Sequence, residues 1–210
     1  MPDWVRKTFD SIGVTQSPPG PALPAVQERY FGHVVLCIDV SGSMADRDGR
    51  HTRLDQAKRG AERFVAEAMA AHYKVGLILW DHSVAAAVPV CADPKKVLAR
   101  LAAASAGGGT NVCPALRHAI DELLPLSNDR VIAVFGDGDL GDPGRARALA
   151  AEAAENRIRI LVRGLARQAA AAMSQLATRD SEPALVPSTN DIEDAIASMA
   201  KGLTRRASRE

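Results

Sequence analysis

Short apolar runs alternate with segments of helical periodicity along most of the chain. A run of four to eight apolar residues with no polar face predicts a strand that is buried on both faces, as in a parallel sheet. Five such runs lie at residues 33–38, 74–80, 84–90, 131–135 and 158–162. A shorter run at residues 184–186 predicts a sixth strand.

Between the strands, apolar residues recur every three or four positions, which predicts amphipathic helices. The predicted helices span residues 54–69, 94–104, 115–124, 143–156, 168–177 and 190–205. Only residues 81–83 separate the second and third strands, so this pair forms an antiparallel hairpin. We therefore predict an α/β fold with a doubly wound, mostly parallel six-stranded sheet, one antiparallel edge strand and helices on both faces.

The beginning of the chain differs from the rest. Residues 17–24 contain four prolines, which do not fit a helix or a central strand and predict an extended linker. We expect an N-terminal extension at residues 1–30, one domain at residues 31–205 and a basic tail at residues 206–210.

Composition narrows the class of protein. The chain has 210 residues, of which 47% are hydrophobic and 24% charged, and a net charge of +1. These values predict a globular domain without the basic surface of a nucleic-acid-binding protein. No apolar run has the length of a membrane-spanning helix, and the three cysteines form no CxxC pair. We therefore expect a cytoplasmic protein with no nucleic-acid or membrane partner.

Oxygen-bearing side chains follow three of the predicted elements. Asp39, Ser41 and Ser43 come at alternate positions after the first strand, Thr110 follows three glycines, and Asp137 follows the strand at 131–135. Ligands of such sheets bind at the carboxyl ends of the strands. A set of oxygens alone suits Mg²⁺, Mn²⁺ or Ca²⁺ and does not suit zinc.

In this order and setting, the five residues resemble the metal-ion-dependent adhesion site of von Willebrand factor A domains. The resemblance implies that Ser41, Ser43 and Thr110 ligate the metal ion, directly or nearly so. Asp39 and Asp137 would hold its water molecules and balance its charge. It further implies a non-catalytic module whose protein partner donates an Asp or Glu to the metal, sometimes with movement of the last helix.

Two alternatives stay open. A phosphohydrolase of the haloacid-dehalogenase kind would use Asp39 as nucleophile, and Asp137 with Asp142 imitates its later acidic motif. That family needs a second acid two residues after the nucleophile, where this chain has Ser41. The other alternative keeps the fold as a scaffold without metal.

Several neighbouring residues have both a functional and a structural interpretation. Cys113 begins a helix and faces either the site or the core, with the core favoured. Asp139 and Asp142 add charge beside the site, but their position favours a turn before a helix. For His82 a surface turn is favoured, and for Asp55 the start of a helix.

The resulting expectation is a stand-alone, bacterial-type A domain that acts as an adaptor or regulatory subunit of an intracellular complex. By resemblance, its partner is an AAA+ ATPase of the MoxR or metal-chelatase type, or a kinase or phosphatase of a stress or conflict system. The sequence leaves both partner classes open.

Overall fold

The computed structural model describes residues 30–137, 139–164, 171–177 and 192–204. Contacts within the chain separate residues 1–30 from residues 31–210, and almost all described residues belong to the second unit. Apart from Tyr30, the predicted extension lies outside the described residues, and so do the predicted strand at 184–186 and the predicted basic tail.

Five strands of the described chain form the central sheet, and two short ones form a separate hairpin. In chain order the strands are β1 (Gly32–Asp39), β2 (Arg47–Asp48), β3 (His51–Thr52), β4 (Tyr73–Trp80), β5 (Val84–Cys91), β6 (Arg130–Gly136) and β7 (Ile158–Gly164). The order in the sheet is β5-β4-β1-β6-β7. Only the β4–β5 pair in this sheet is antiparallel. The mostly parallel sheet with one antiparallel edge strand is therefore confirmed.

Helices fill the segments between the strands. They are α1 (Arg53–Ala70), α2 (Pro94–Ala102), α3 (Cys113–Leu123), α4 (Pro143–Glu155), α5 (Ile192–Ser198) and α6 (Lys201–Thr204), with 3-10 turns at Gly42–Ala45 and Ser174–Leu176. The single last helix predicted at 190–205 was wrong within the described residues. Met199 and Ala200 donate backbone hydrogen bonds to residues only three positions earlier, which tightens the chain into a turn between α5 and α6.

The side chains of β1 explain why helices cover both faces of the sheet. All eight residues of this central strand are buried. Val34, Leu36 and Ile38 pack in a core cluster with residues of α1, α2 and α5. Val35 and Cys37 pack in a second cluster with residues of α3 and α4. Alternate side chains of one strand thus enter opposite cores, as the continuous apolar run predicts.

The start of α1 is fixed by reciprocal hydrogen bonds. The Asp55 amide donates to Thr52 Oγ1 at 3.0 Å, and the Thr52 amide donates to Asp55 Oδ2 at 3.1 Å. This capping box satisfies amide groups that the first helical turn leaves free. It confirms the helix-start interpretation of Asp55. The β2–β3 hairpin that leads into this cap was not predicted, since two-residue strands have no recognisable hydrophobic pattern.

Candidate metal site

The two carboxylates of the predicted site lie on neighbouring strands. Asp39 is the last residue of β1, and Asp137 directly follows Gly136, the last residue of β6. A Cβ atom on Gly136 would lie 2.9 Å from Trp80 Cζ2 and 3.2 Å from Asp39 Oδ2. A glycine at this position therefore lets the end of β6 approach both the indole ring and the Asp39 carboxylate.

Hydrogen bonds join four of the five predicted residues. The Ser41 amide donates to Asp39 Oδ1 at 2.8 Å, and the Asp137 amide lies 3.3 Å from Asp39 Oδ2. The hydroxyls of Ser41 and Ser43 are 3.2 Å apart, and Ser43 Oγ donates to the Asp137 carboxylate. Asp39, Ser41, Ser43 and Asp137 therefore form one cluster at the carboxyl ends of β1 and β6.

Burial and like charge both act on this cluster. Asp39 is fully buried, and Ser41 is 1% exposed. Burial raises the pKa of Asp39 to about 6; the hydrogen bonds from Ser41 oppose the rise, and the charge of Asp137 adds to it. In the described part of the chain, neither Asp39 nor Asp137 forms an ion pair. The site thus holds two adjacent acids without a basic side chain bound to them.

The glycine loop brings the fifth residue to the same edge of the sheet. The Gly107 amide donates to the Val40 carbonyl at 2.8 Å, and the Gly42 amide donates to the Gly108 carbonyl at 3.1 Å. These bonds hold the loop against the turn that carries Ser41 and Ser43. Thr110 is half-buried in this loop. Its hydroxyl makes no hydrogen bond to the other four residues in the described structure.

The donor set fits a hard divalent cation. No group of three or more His, Cys, Asp or Glu side chains is placed to bind a metal in the parts of the chain that the structure describes. An ion at this site would therefore depend on hydroxyls and water beside the two carboxylates. The Ser43–Asp137 hydrogen bond places a hydroxyl and a carboxylate of the site in direct contact. Oxygen ligands of this kind suit Mg²⁺, Mn²⁺ or Ca²⁺.

The residues around the cluster have structural roles. Cys113 is 2% exposed, so the core interpretation is confirmed. Asp142 accepts a hydrogen bond from the Arg145 amide at 2.9 Å and caps α4, and Asp139 accepts one from the Gly141 amide at 2.9 Å. The turn and cap interpretation of these two acids is therefore confirmed.

Two residues beside the site were not predicted to belong to it. Arg53 Nη1 lies 3.2 Å from Asp46 Oδ2 and 3.4 Å from the Ser43 carbonyl oxygen, so this side chain supports the serine turn. Asp81 follows β4, and its carbonyl accepts a hydrogen bond from the Asn111 amide. The sequence did contain an indication that Asp81 lies near the site, because Asp81 directly follows an apolar strand, as Asp137 does.

Comparison with known proteins agrees with this architecture. Residues 34–139, half of the chain, match the family of von Willebrand factor type A domains. The chain therefore belongs to this family. No curated protein matches the chain in sequence.

Three solved structures show the same fold. The vWF domain of the type V pili tip protein Mfa5 from Porphyromonas gingivalis has a TM-score of 0.72 and 14% identity, over 86% of this chain and 97% of that one. The conserved hypothetical protein BatB from Bacteroides thetaiotaomicron has a TM-score of 0.67 and 23% identity, over 83% and 99%. An aerotolerance-related membrane protein from Bacteroides fragilis, carrying multiple mutations to serine, has a TM-score of 0.55 and 27% identity, over 63% and 67%.

One of these three structures is that of a membrane protein, so the helices of the present chain were compared with membrane-spanning helices. Within the described ranges, none of them combines the length and the apolar character needed to cross a membrane.

Proposed function

We propose that this domain binds a partner protein through a divalent cation held by Asp39, Ser41, Ser43, Thr110 and Asp137. Mg²⁺ is the first candidate, and Mn²⁺ and Ca²⁺ have the same ligand preference. The observation that carries the proposal is the pair of adjacent acids, one of them fully buried, in a hydrogen-bonded cluster with two serine hydroxyls and with no basic side chain bound among the described residues. Such an arrangement is costly unless a cation is present.

Each residue has a defined task in this proposal. The hydroxyls of Ser41 and Ser43 lie 3.2 Å apart and would be direct ligands of the ion. Asp39 is oriented by the Ser41 and Asp137 amides, so its carboxylate balances charge and holds water. Thr110 adds a hydroxyl from the glycine loop. The cation would supply the positive charge that an Asp or Glu side chain of the partner binds.

The chain acts as a non-catalytic module in this proposal. The phosphohydrolase alternative needs a second acid at position 41, where the chain has serine, and it uses an acid like Asp142 at the metal. Asp142 instead caps α4. A generic aryl phosphate separates the two functions: we expect no turnover above buffer. Turnover that disappears in Asp39→Asn would establish the phosphohydrolase.

We further propose a cytoplasmic adaptor or regulatory subunit, with a MoxR-type AAA+ ATPase or a signalling enzyme as partner. All three cysteines are free thiols, and Cys37 is fully buried within the sheet. Unpaired cysteines are typical of proteins in a reducing compartment. Fractionation of the native cells tests the location, and recovery of the protein outside the cytoplasm would contradict it.

The metal bridge is tested in two stages with the full chain. Titration with MgCl₂ in a calorimeter should give one site in wild type and none in Asp39→Ala. The matched control is Asp121→Ala, which removes an exposed acid of α3 paired with Arg117, and it should bind as wild type does. Capture of partners is then compared with Mg²⁺ and with EDTA, for wild type and Asp39→Ala. The same partners in all four samples would exclude the metal bridge.

A further inference from the structure

Three neighbouring strands in the middle of the sheet end at an aspartate. In the sheet, β4 lies beside β1 and β1 beside β6. Asp39 ends β1, Asp137 follows β6 and Asp81 follows β4. The first two belong to the proposed metal site. The Asp81 side chain is 16% exposed and has no role in the function described so far.

One oxygen of Asp81 is used by its own turn. Oδ1 accepts hydrogen bonds from the Ser83 amide at 2.7 Å and from Ser83 Oγ at 3.0 Å. Nδ1 of His82, whose side chain is 68% exposed, lies 3.3 Å from the same oxygen. The Asp81 amide also donates to the Ser83 carbonyl at 3.1 Å. These contacts fix the orientation of the Asp81 carboxylate.

The other groups of Asp81 face the glycine loop. A Cβ atom on Gly108 would lie 2.5 Å from Asp81 Oδ2, and Gly108 has a φ of +79°. The Asp81 carbonyl oxygen accepts the hydrogen bond of the Asn111 amide at 2.8 Å. Asp81 therefore contacts the loop two residues before Thr110 and one residue after it.

The same loop is held from its other side by the serine turn, through the bonds of Gly107 to Val40 and of Gly42 to Gly108. The loop that carries Thr110 thus lies between two fixed backbone segments. We infer that Asp81 is a positioning residue that holds the Thr110 hydroxyl at the metal site, and that it is not itself a ligand. This inference rests on the proposed function, because it gives Thr110 its task.

Two alternatives would give Asp81 a different role: direct contribution of charge to the cation, or general stability of the fold. Asp81→Asn tests the contribution of charge, since the amide oxygen of asparagine can still accept from Ser83 while the negative charge is gone. Asp93→Ala is the matched control for an effect on the general stability of the fold. Asp93 also follows a strand and accepts from a backbone amide, that of Lys95, but it caps α2.

The experiment is titration of the full chain with MgCl₂ by calorimetry. Residues that orient metal ligands typically contribute about 10- to 100-fold to affinity. We expect Asp81→Ala to bind Mg²⁺ about 10-fold more weakly than wild type, and Asp81→Asn and Asp93→Ala to stay within about 3-fold. An equal loss in Asp81→Asn and Asp81→Ala would overturn positioning in favour of charge. Unchanged affinity in Asp81→Ala would overturn the inference while leaving the metal site intact.

A double-mutant cycle tests whether Asp81 acts through Thr110. If it does, Asp81→Ala should cost no further affinity once Thr110 is alanine, since coupled residues have non-additive effects. Independent losses that multiply would contradict the inference. If wild type itself binds no Mg²⁺, the proposed function is wrong, and the positioning role of Asp81 is wrong with it.

Hydrogen exchange gives a readout without metal. The Asn111 amide should exchange faster in Asp81→Ala than in Asp93→Ala, and equal rates would contradict the positioning role. Should Asp81→Ala fail to fold, Ser83→Ala takes its place, because it removes one hydrogen bond to Asp81 Oδ1. We expect about 3-fold weaker Mg²⁺ binding in that variant, and an affinity equal to wild type would overturn the inference.

Discussion

The two ends of the central sheet both contain carboxylates that are buried or half-buried, and the two ends differ in what neutralises the charge. At the amino ends of the strands, Asp129 pairs with Arg159, and their side chains are 17% and 11% exposed. At the carboxyl ends, Asp39 and Asp137 lie together, and neither has a basic partner among the described residues. The carboxylate at the amino end therefore has a cation within the chain, and no described basic side chain does the same for the pair at the carboxyl end.

The amino end is a closed network of charges and hydrogen bonds. Arg159 Nε donates to Asp129 Oδ1 at 3.1 Å, and Nη1 donates to the Gly202 carbonyl at 2.9 Å. The Tyr73 hydroxyl donates to Asp129 and lies 3.1 Å from the Leu203 carbonyl oxygen. Burial raises the pKa of Tyr73, and the hydrogen bond to Asp129 raises it further, so the phenol stays neutral. This network attaches α6 to the sheet.

The difference between the two ends suggests that the paired Asp129 stabilises the fold, whereas Asp39 and Asp137 serve binding. Evolution of a stable fold favours burying a carboxylate with its cation, since an unpaired buried charge is destabilising. Titratable groups whose pKa is shifted by burial and like charge are enriched at functional sites. The unpaired acids at the carboxyl end therefore fit a site completed by a ligand, and variants of each end should respond differently to Mg²⁺.

The largest expected effect is loss of the cation at the amino end. Arg159→Met removes the guanidinium that binds the half-buried Asp129 carboxylate and should lower the free energy of unfolding by about 3 kcal/mol. Urea unfolding measures this, and the loss should be the same with Mg²⁺ and with EDTA. Arg117→Met is the control, because its pair with Glu152 is more exposed and should contribute less than about 1 kcal/mol. An equal decrease in the free energy of unfolding in both variants would show that the Asp129–Arg159 pair contributes no more than a surface pair does.

A smaller effect is expected from the glycine loop at the carboxyl end. Gly108→Ala places a side chain at positive φ and against Asp81, and should cost about 2 kcal/mol together with most of the Mg²⁺ affinity. Gly107→Ala is the matched control, because nothing lies within 4 Å of its Cβ position. It should change stability by less than about 0.5 kcal/mol. Calorimetric Mg²⁺ titration and urea unfolding of both variants test this, and similar behaviour would contradict the fit of Asp81 against Gly108.

The sequence predicted the carboxyl end better than the amino end, for a physical reason. Asp39, Ser41, Ser43 and Asp137 follow strands whose apolar runs are easily recognised, and the ends of parallel strands meet at one edge. Their convergence thus follows from local pattern and topology. The position of the loop that carries Thr110 followed less directly, because it depends on how the glycines fold back against the serine turn.

The residues that sequence reasoning missed depend on contacts between distant segments. Arg159 and Asp129 come from different elements, and no local pattern marks them as partners. Asp81 was assigned only to a hairpin turn, since its contacts with Gly108 and Asn111 arise from long-range packing. The break between α5 and α6 was missed because apolar spacing continues across it.

The smallest expected effect is the stability difference between Asp39→Asn and wild type, and its sign should reverse when Mg²⁺ is added. In EDTA at pH 7, Asp39→Asn removes a buried charge beside Asp137 but also loses one of the two accepted amide hydrogen bonds, so it should raise the free energy of unfolding by only about 1 kcal/mol. With Mg²⁺, wild type should be stabilised and the variant should not, because the variant no longer binds the ion. A variant that is less stable than wild type in EDTA would show that the Asp39 charge is satisfied within the chain, as at the amino end.

The pH dependence of this difference follows from the raised pKa of Asp39. Its folded-state pKa is about 6 and its ordinary value 3.8, so between these values the folded state binds the proton more tightly. The destabilisation by the charge is therefore complete above pH 6 and disappears as pH falls towards 4. In EDTA, the stability difference between wild type and Asp39→Asn should shrink over this range, and other groups largely cancel in the comparison. A difference that stays constant from pH 7 to pH 4 would contradict an unpaired buried carboxylate at the carboxyl end.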